Sequence, residues 1–209
     1  MLTVTTAATD RTLLSLAEIR KATGVSDASY NDDLGTLNGR VASALARACR
    51  LQTGGSTPPT FREETLTEVL RQETGEEYLI LSRRPVASIT SVVEDGTTLD
   101  TDEYEIDTST GLLFRMDGDD SRIMWPAVKI TVIYVAGWAT VPDDLKLAAA
   151  KFARILWTED GPDAREPGLK RHNVDGVGER EYWVAPQSDP LLSGEIMELL
   201  ADYRENGGI

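Results

Sequence analysis

The sequence predicts an α+β fold: an antiparallel helical bundle made by the N- and C-terminal segments, with a small antiparallel β-sheet inserted between them. Three observations predict it. Apolar residues recur at helical spacing as far as Ala48. From Phe61 to Val135 the chain turns to short runs of β-branched and large apolar residues with turn residues between them. After Gly137 the helical period returns. The expected division is N-terminal helices over 1–57, the inserted β part over 58–138, and a C-terminal helix, long loop and terminal helix over 139–209 that pack on the N-terminal helices. With 209 residues, 41% of them hydrophobic, the chain has enough material for a sizeable core.

The first helix is announced by Ser15-Leu16-Ala17-Glu18, in which a serine hydroxyl and a glutamate three places on can satisfy each other's exposed backbone N–H groups. Gly24 ends it. A second helix follows Ser26 to Asp33, with Leu34, Leu37, Val41, Ala44, Leu45 and Ala48 on one face. The string Thr53 to Pro59 (TGGSTPP) breaks any helix, because glycine is conformationally loose and proline lacks a donor and clashes with the preceding turn. Strands are expected at Thr65–Leu70, Tyr78–Leu81, Ile89–Val93, Tyr104–Ile106, Leu112–Phe114 and Val128–Val135, and Asp95-Gly96 suits a tight hairpin. No helix-length connection separates them, so the pairing is antiparallel. Pro142, Asp143 and Asp144 then suit the first turn of a helix whose stripe is Leu145, Ala148, Ala149, Phe152, Ile155 and Leu156. This helix is expected to pack on the second one. Glu159 to Pro190 reads as a long loop, with one extended piece at Glu181 to Val184, and Leu192, Ile196, Leu199, Leu200 and Tyr203 mark a closing helix.

A search for chemistry returns little. His172 lies on a polar stretch with no serine or cysteine motif beside it, and Cys49 sits among Ala48, Arg50 and Leu51 as a small buried thiol. One cysteine and one histidine leave almost no soft metal ligands. Asp117 to Ser121 lacks the spaced ligands of a calcium loop and reads as a hairpin tip. Glu63-Glu64 and Glu76-Glu77 read as solvated strand edges, and no glycine-rich phosphate cradle is present. The expectation is no catalytic residue, cofactor or metal. Trp125 and Trp138 are assigned to the core, whereas Trp157 and Trp183 adjoin the long loop and suit partner contact. No run approaches a membrane span. The balance of 21 basic to 35 acidic residues, net −14, repels polyanions and argues against sequence-reading DNA binding. It suits a wall past which DNA slides.

Several passages, taken in order, resemble one family. They are SLAEIRKATGVSD from Ser15, LNGRVASALARACRLQ from Leu37, RRPVASITSVVEDG from Arg83 and YEIDTSTGLLFR from Tyr104. ITVIYVAGWATVPDDLKLAAAKF from Ile130, VGEREYW from Val177 and IMELLADYR from Ile196 complete the series. The order is similar to that of the head-tail connector, or head-completion adaptor, proteins of long-tailed bacteriophages. The resemblance implies a structural virion protein of the head-tail interface, assembled in the host cytoplasm. It implies a homo-oligomeric ring, usually of twelve, on the portal protein, with a docking surface for neck or tail-completion proteins and DNA passing through the lumen. The isolated chain is then expected to be monomeric until the portal template gathers it. Trp157, Tyr182, Trp183, Leu199, Leu200 and Tyr203 are the expected portal anchors. A neck or tail-completion protein, a carboxylate-based hydrolase and a carbohydrate-binding module remain as alternatives.

Overall fold

The computed structural model describes residues 1–160, 171–174, 178–181 and 194–204. They divide into two compact units. The first holds Met1–Thr12 and Ala42–Pro142 with Arg204, and the second Leu13–Val41 and the described residues from Asp143 to Tyr203.

Unit one is mostly β-sheet. Its strands are β1 (Leu2–Thr6), β2 (Glu64–Arg71), β3 (Tyr78–Ile80), β4 (Val86–Glu94), β5 (Thr97–Thr98), β6 (Tyr104–Asp107), β7 (Leu112–Met116), β8 (Arg122–Ile123) and β9 (Lys129–Ala136). All pairings are antiparallel. One sheet runs β1-β2-β9-β4-β5, and a second runs β3-β7-β6 with β8 also on β7. The alternation of β9 decides its facing: Ile130, Val132, Tyr134 and Ala136 are buried, and the residues between them are not. These four share a core with Leu66 of β2, Leu79 of β3, Leu113 of β7 and Trp125, so the two sheets bury their inner faces together. Asp95 and Gly96, at φ 44° and 91°, make the tight turn between β4 and β5 that the sequence predicts. Asp117 caps the β7–β8 tip by accepting from the backbone N–H groups of Asp119 and Ser121, at 3.0 and 2.8 Å.

Unit two is helical. α1 (Leu16–Thr23) carries the expected capping box at Ser15 and ends at Gly24 in the left-handed conformation, φ 76°. A short 3-10 turn at Ala28–Tyr30 leads into α2 (Asn31–Ala48), whose residues to Val41 count with unit two and the rest with unit one. The buried face of α2 holds Leu34, Leu37, Val41 and Leu45 as expected, and adds Asn38. Asn38 exchanges hydrogen bonds with the Leu14 backbone, donating at 2.6 Å and accepting at 3.4 Å, which is why a polar residue sits there. α3 (Asp143–Asp160), a hairpin of β10 (Arg171–Val174) and β11 (Gly178–Glu181), and α4 (Gly194–Leu199) followed by a 3-10 turn at Ala201–Tyr203 complete the unit.

The structure corrects four expectations. The β part is the larger unit, and along the chain the two stretches of the helical unit, 13–41 and the described residues from 143 to 203, flank its main stretch. Its boundary is not at 57/58, because β1 and residues 42–57 belong with the sheets. β1 escaped the sequence reading because it is a five-residue edge strand whose side chains are at most partly buried, and its partner β2 lies some sixty residues on. α3 lies alongside α1 and α4 more than along α2. Ion pairs flank both seams, Lys146 to Glu18 at 3.0 Å and Lys151 to Glu195 at 2.6 Å. The expected loop from Glu159 contains the last residues of α3 and the β10–β11 hairpin. The extended piece proposed at Glu181 to Val184 overlaps the structure only at Glu181, and its remainder lies outside the described residues.

Candidate interaction surfaces

Alternation along β2 turns two carboxylates inward, Glu64 and Glu68, each 2% exposed. Glu64 is therefore not the solvated edge residue that the sequence suggests. Burial of a carboxylate is tolerable only with partners. Glu64 meets the Arg11 guanidinium at 2.8 Å and that of Arg83 at 3.7 Å, and accepts from the Ala8 backbone N–H at 3.4 Å. Arg83 in turn donates to the carbonyls of Thr60 and Gln52. Glu68 accepts from the Ser82 backbone N–H at 3.0 Å, from the Ser82 hydroxyl, and from the Tyr134 hydroxyl at 2.8 Å. Burial first, and the neighbouring Glu68 charge second, push the Tyr134 phenol far above its usual range, so it stays a donor. These acids clasp segments together: residues 8–11, the 52–60 stretch and the start of β4's approach all converge on β2. Acid–base hydrolysis needs two carboxyl groups with oxygens free for substrate and water. Most of the oxygens of Glu64 and Glu68 already hold protein donors. Among the described residues no group of three His, Cys, Asp or Glu side chains is placed to hold a metal ion.

The outer face of the smaller sheet of unit one is different. Strand register places Tyr78, Phe114 and Glu105 in one row and Ile80, Leu112 and Asp107 in the next. Leu79 and Leu113 point the other way, into the core. Tyr78 and Ile80 are 43% and 50% exposed, and Met124, just past β8, is 63% exposed. Tyr78 meets the edge of Phe114, and the Arg122 guanidinium lies 3.7 Å from the Phe114 ring centre while pairing with Glu105 at 2.7 Å. Exposed apolar residues concentrated in this way mark an interaction surface, unlike single scattered ones. Acids surround it: Glu76 and Glu77 before Tyr78, Glu105 and Asp107 on β6, and Asp119 and Asp120 at the hairpin tip. The sequence signal was there, since Tyr78-Leu79-Ile80 and Leu112-Leu113-Phe114 are apolar at every position, whereas a sheet with one wet face alternates.

The anchors expected from the sequence are distributed otherwise. Trp157 lies late on α3, partly buried, with its ring edge-on to Tyr30 at 5.9 Å. Leu199 is partly exposed at the end of α4, but Leu200 is fully buried and serves unit two's own core. Tyr203 is partly exposed and hydrogen-bonds to Asp144 at the start of α3. Tyr182 and Trp183 lie outside the described residues. Trp125 is in the core as assigned, while Trp138 is only half-buried, tilted against Phe61 at 6.2 Å between ring centres.

The chain thus combines a β-rich unit with buried ion clasps and a helical unit. No protein family and no curated protein matches the chain. Solved structures do. A chain from the virion of a native gene transfer agent particle is similar over 100% of this chain and 97% of its own length, with a TM-score of 0.58 at 16% identity. Chains from the neck of the empty particle, computed with C6 symmetry, and of the native particle, computed with C12 symmetry, give TM-scores of 0.58 and 0.55 at the same identity and coverage. At that identity the fold is what is shared.

Proposed function

We propose that the chain is a structural subunit of the neck of a phage-like particle, and within the neck a head-tail connector. The observation that carries this is end-to-end: the fold matches chains of a virion neck over 100% of this chain and 97% of theirs. That correspondence includes both units, so it is more than a shared small sheet. In this reading copies of the chain form a ring on the portal vertex, complete the head and offer a docking surface to neck or tail-completion proteins. A neighbour whose particle neck was computed with C12 symmetry supports twelve as the ring number. Each contact is head-to-tail, the arrangement that closes when the rotation per subunit matches the ring. Contacts that are weak singly become sufficient when the portal presents many sites at once, which keeps the free chain monomeric in the host cytoplasm. Partly exposed Trp157, Leu199 and Tyr203 on unit two, with Tyr182 and Trp183, are the proposed portal anchors. Buried Leu200 holds the terminal segment that carries Leu199 and Tyr203. The net charge of −14 suits a lumen that DNA crosses without adhering.

The test is to mix the purified chain with portal rings and image the product. An added ring beneath the portal is expected. Absence of added density, or portal binding undiminished after truncation at Asp189, would overturn the reading.

A further inference from the structure

We propose that the outer face of the β3-β7-β6 sheet receives the C-terminal end of α2 from a second copy of this chain, and that this pair of surfaces is the seam between subunits. The inference rests on the neck reading and names the contact within it.

The receiving face has an apolar centre, Tyr78, Ile80, Leu112 and Phe114, inside a rim rich in acids; Arg122 on it is already paired with Glu105, and Arg84 lies against the Thr110-Gly111 turn at one end. A centre of this kind needs a partner that brings positive charge to its edge. In a chain of net charge −14, basic surfaces are scarce. The end of α2 supplies one. Arg47 and Arg50 are exposed, and among the described residues neither pairs with an acid. Exposed Ser43 and Arg40 continue the same stripe, one and two turns back from Arg47.

The backbone gives a second reason to single out Arg50. α2 ends with the Leu51 N–H donating to the Ala46 carbonyl at 3.1 Å and the Arg50 N–H to the Arg47 carbonyl at 3.0 Å. That pattern places Arg50 where a helix usually has glycine, and its φ is 58°. A side chain kept in the left-handed region costs stability, so an arginine there points to a use outside the fold. Tyr78 and Phe114 offer ring faces on which a guanidinium stacks, as Arg122 of the same chain already does on Phe114. The two surfaces lie on different elements, so the contact is head-to-tail and propagates into a ring.

A charge exchange tests the seam. One variant reverses the donor end, Arg47→Glu with Arg50→Glu. The other reverses the rim, Glu77→Lys with Glu105→Lys. Circular dichroism confirms that each folds. Sedimentation velocity at low salt and high protein concentration is expected to show wild type self-associating, and each variant alone associating about tenfold more weakly or worse. The two variants mixed should recover wild-type association, because each then offers the other complementary charge. Ile80→Asp, at the centre of the face, should lose association and not be rescued by mixing. Wild type that remains monomeric under these conditions, or a mixture no stronger than its parts, would overturn the seam. If the reversed variants join a portal-bound ring as readily as wild type, the seam is wrong while the neck reading stands. If wild type forms no ring on the portal, the neck reading itself fails.

Discussion

Replacing Arg83 with methionine tests the claim that buried ion clasps hold unit one together. The Arg83 side chain is 2% exposed, and its contacts include the Glu64 carboxylate at 3.7 Å, the Gln52 carbonyl at 3.2 Å and the Thr60 carbonyl. Methionine fills much of the volume but removes the donor to the Thr60 carbonyl and leaves Glu64 with the Arg11 guanidinium and the Ala8 N–H. Breaking a buried pair by removing one partner costs about 3–5 kcal/mol. For a chain of this size that corresponds to a fall in Tm of roughly 6–20 °C, at about 2–4 °C per kcal/mol. Arg11→Met is the internal control. Arg11 is closer to Glu64, at 2.8 Å, yet its side chain is 32% exposed, so water can take its place and the loss should be about 1–2 kcal/mol. The order is opposite to what the distances alone suggest. Urea titration followed by circular dichroism and by fluorescence of buried Trp125 gives both values. If Arg83→Met lies within about 1 kcal/mol of wild type, or no lower than Arg11→Met, the clasp argument is wrong.

Three further outcomes are expected. Glu18 is held by the Ser15 backbone N–H, then the Ser15 hydroxyl and Lys146, so its carboxyl titrates at about 2 and not 4.5. The lowered value means that its contribution to stability is complete above about pH 4.5 and is lost as pH falls toward 2. Its side chain is 40% exposed, which keeps that contribution small. Carbon-detected NMR titration should show the low midpoint, Ser15→Ala should raise it partway, and lost capping should cost about 1 kcal/mol at neutral pH. Gly137→Ala places a Cβ 2.5 Å from the Arg62 carbonyl oxygen at φ 114°, so chemical denaturation should show a loss of about 2 kcal/mol or more. Arg50→Gly relieves the left-handed residue after α2 and should raise the stability of the monomer by about 0.5–1 kcal/mol in the same assay.

Local signals carried well from sequence to structure. The Ser15–Glu18 box, the Asp95-Gly96 turn and the stripe from Leu145 to Leu156 each depend on a few neighbouring residues, and each is found where it was read. What failed depends on partners distant along the chain. Glu64 reads as wet because nothing nearby neutralises it, and its arginines lie 53 residues before it and 19 after it. β1 carries too little apolar surface to announce itself, and the sheet that accepts it is assembled from residues beyond Phe61. The receiving face was legible in principle, as two strands without a polar position. Apolar content alone does not say which side of a strand is covered. The aromatic residues near the C-terminus drew attention as anchors, and Leu200 shows the risk: an apolar position on a helical stripe fills its own unit first.

The pairing order of the larger sheet also bears on how the chain acquires its shape during synthesis. β1 leaves the ribosome before β2 and must wait for it, and β2 waits for β9, whose register runs from Lys129 to Ala136. The central strand is thus among the last parts of unit one to emerge, and closing such distant pairs is slow. In the interval β1 is an unpaired ribbon, and its threonines keep it soluble where a run of valine and isoleucine would invite pairing with other nascent chains. The modest apolar content that hid this strand from a reader of the sequence is the property that protects the unfinished protein.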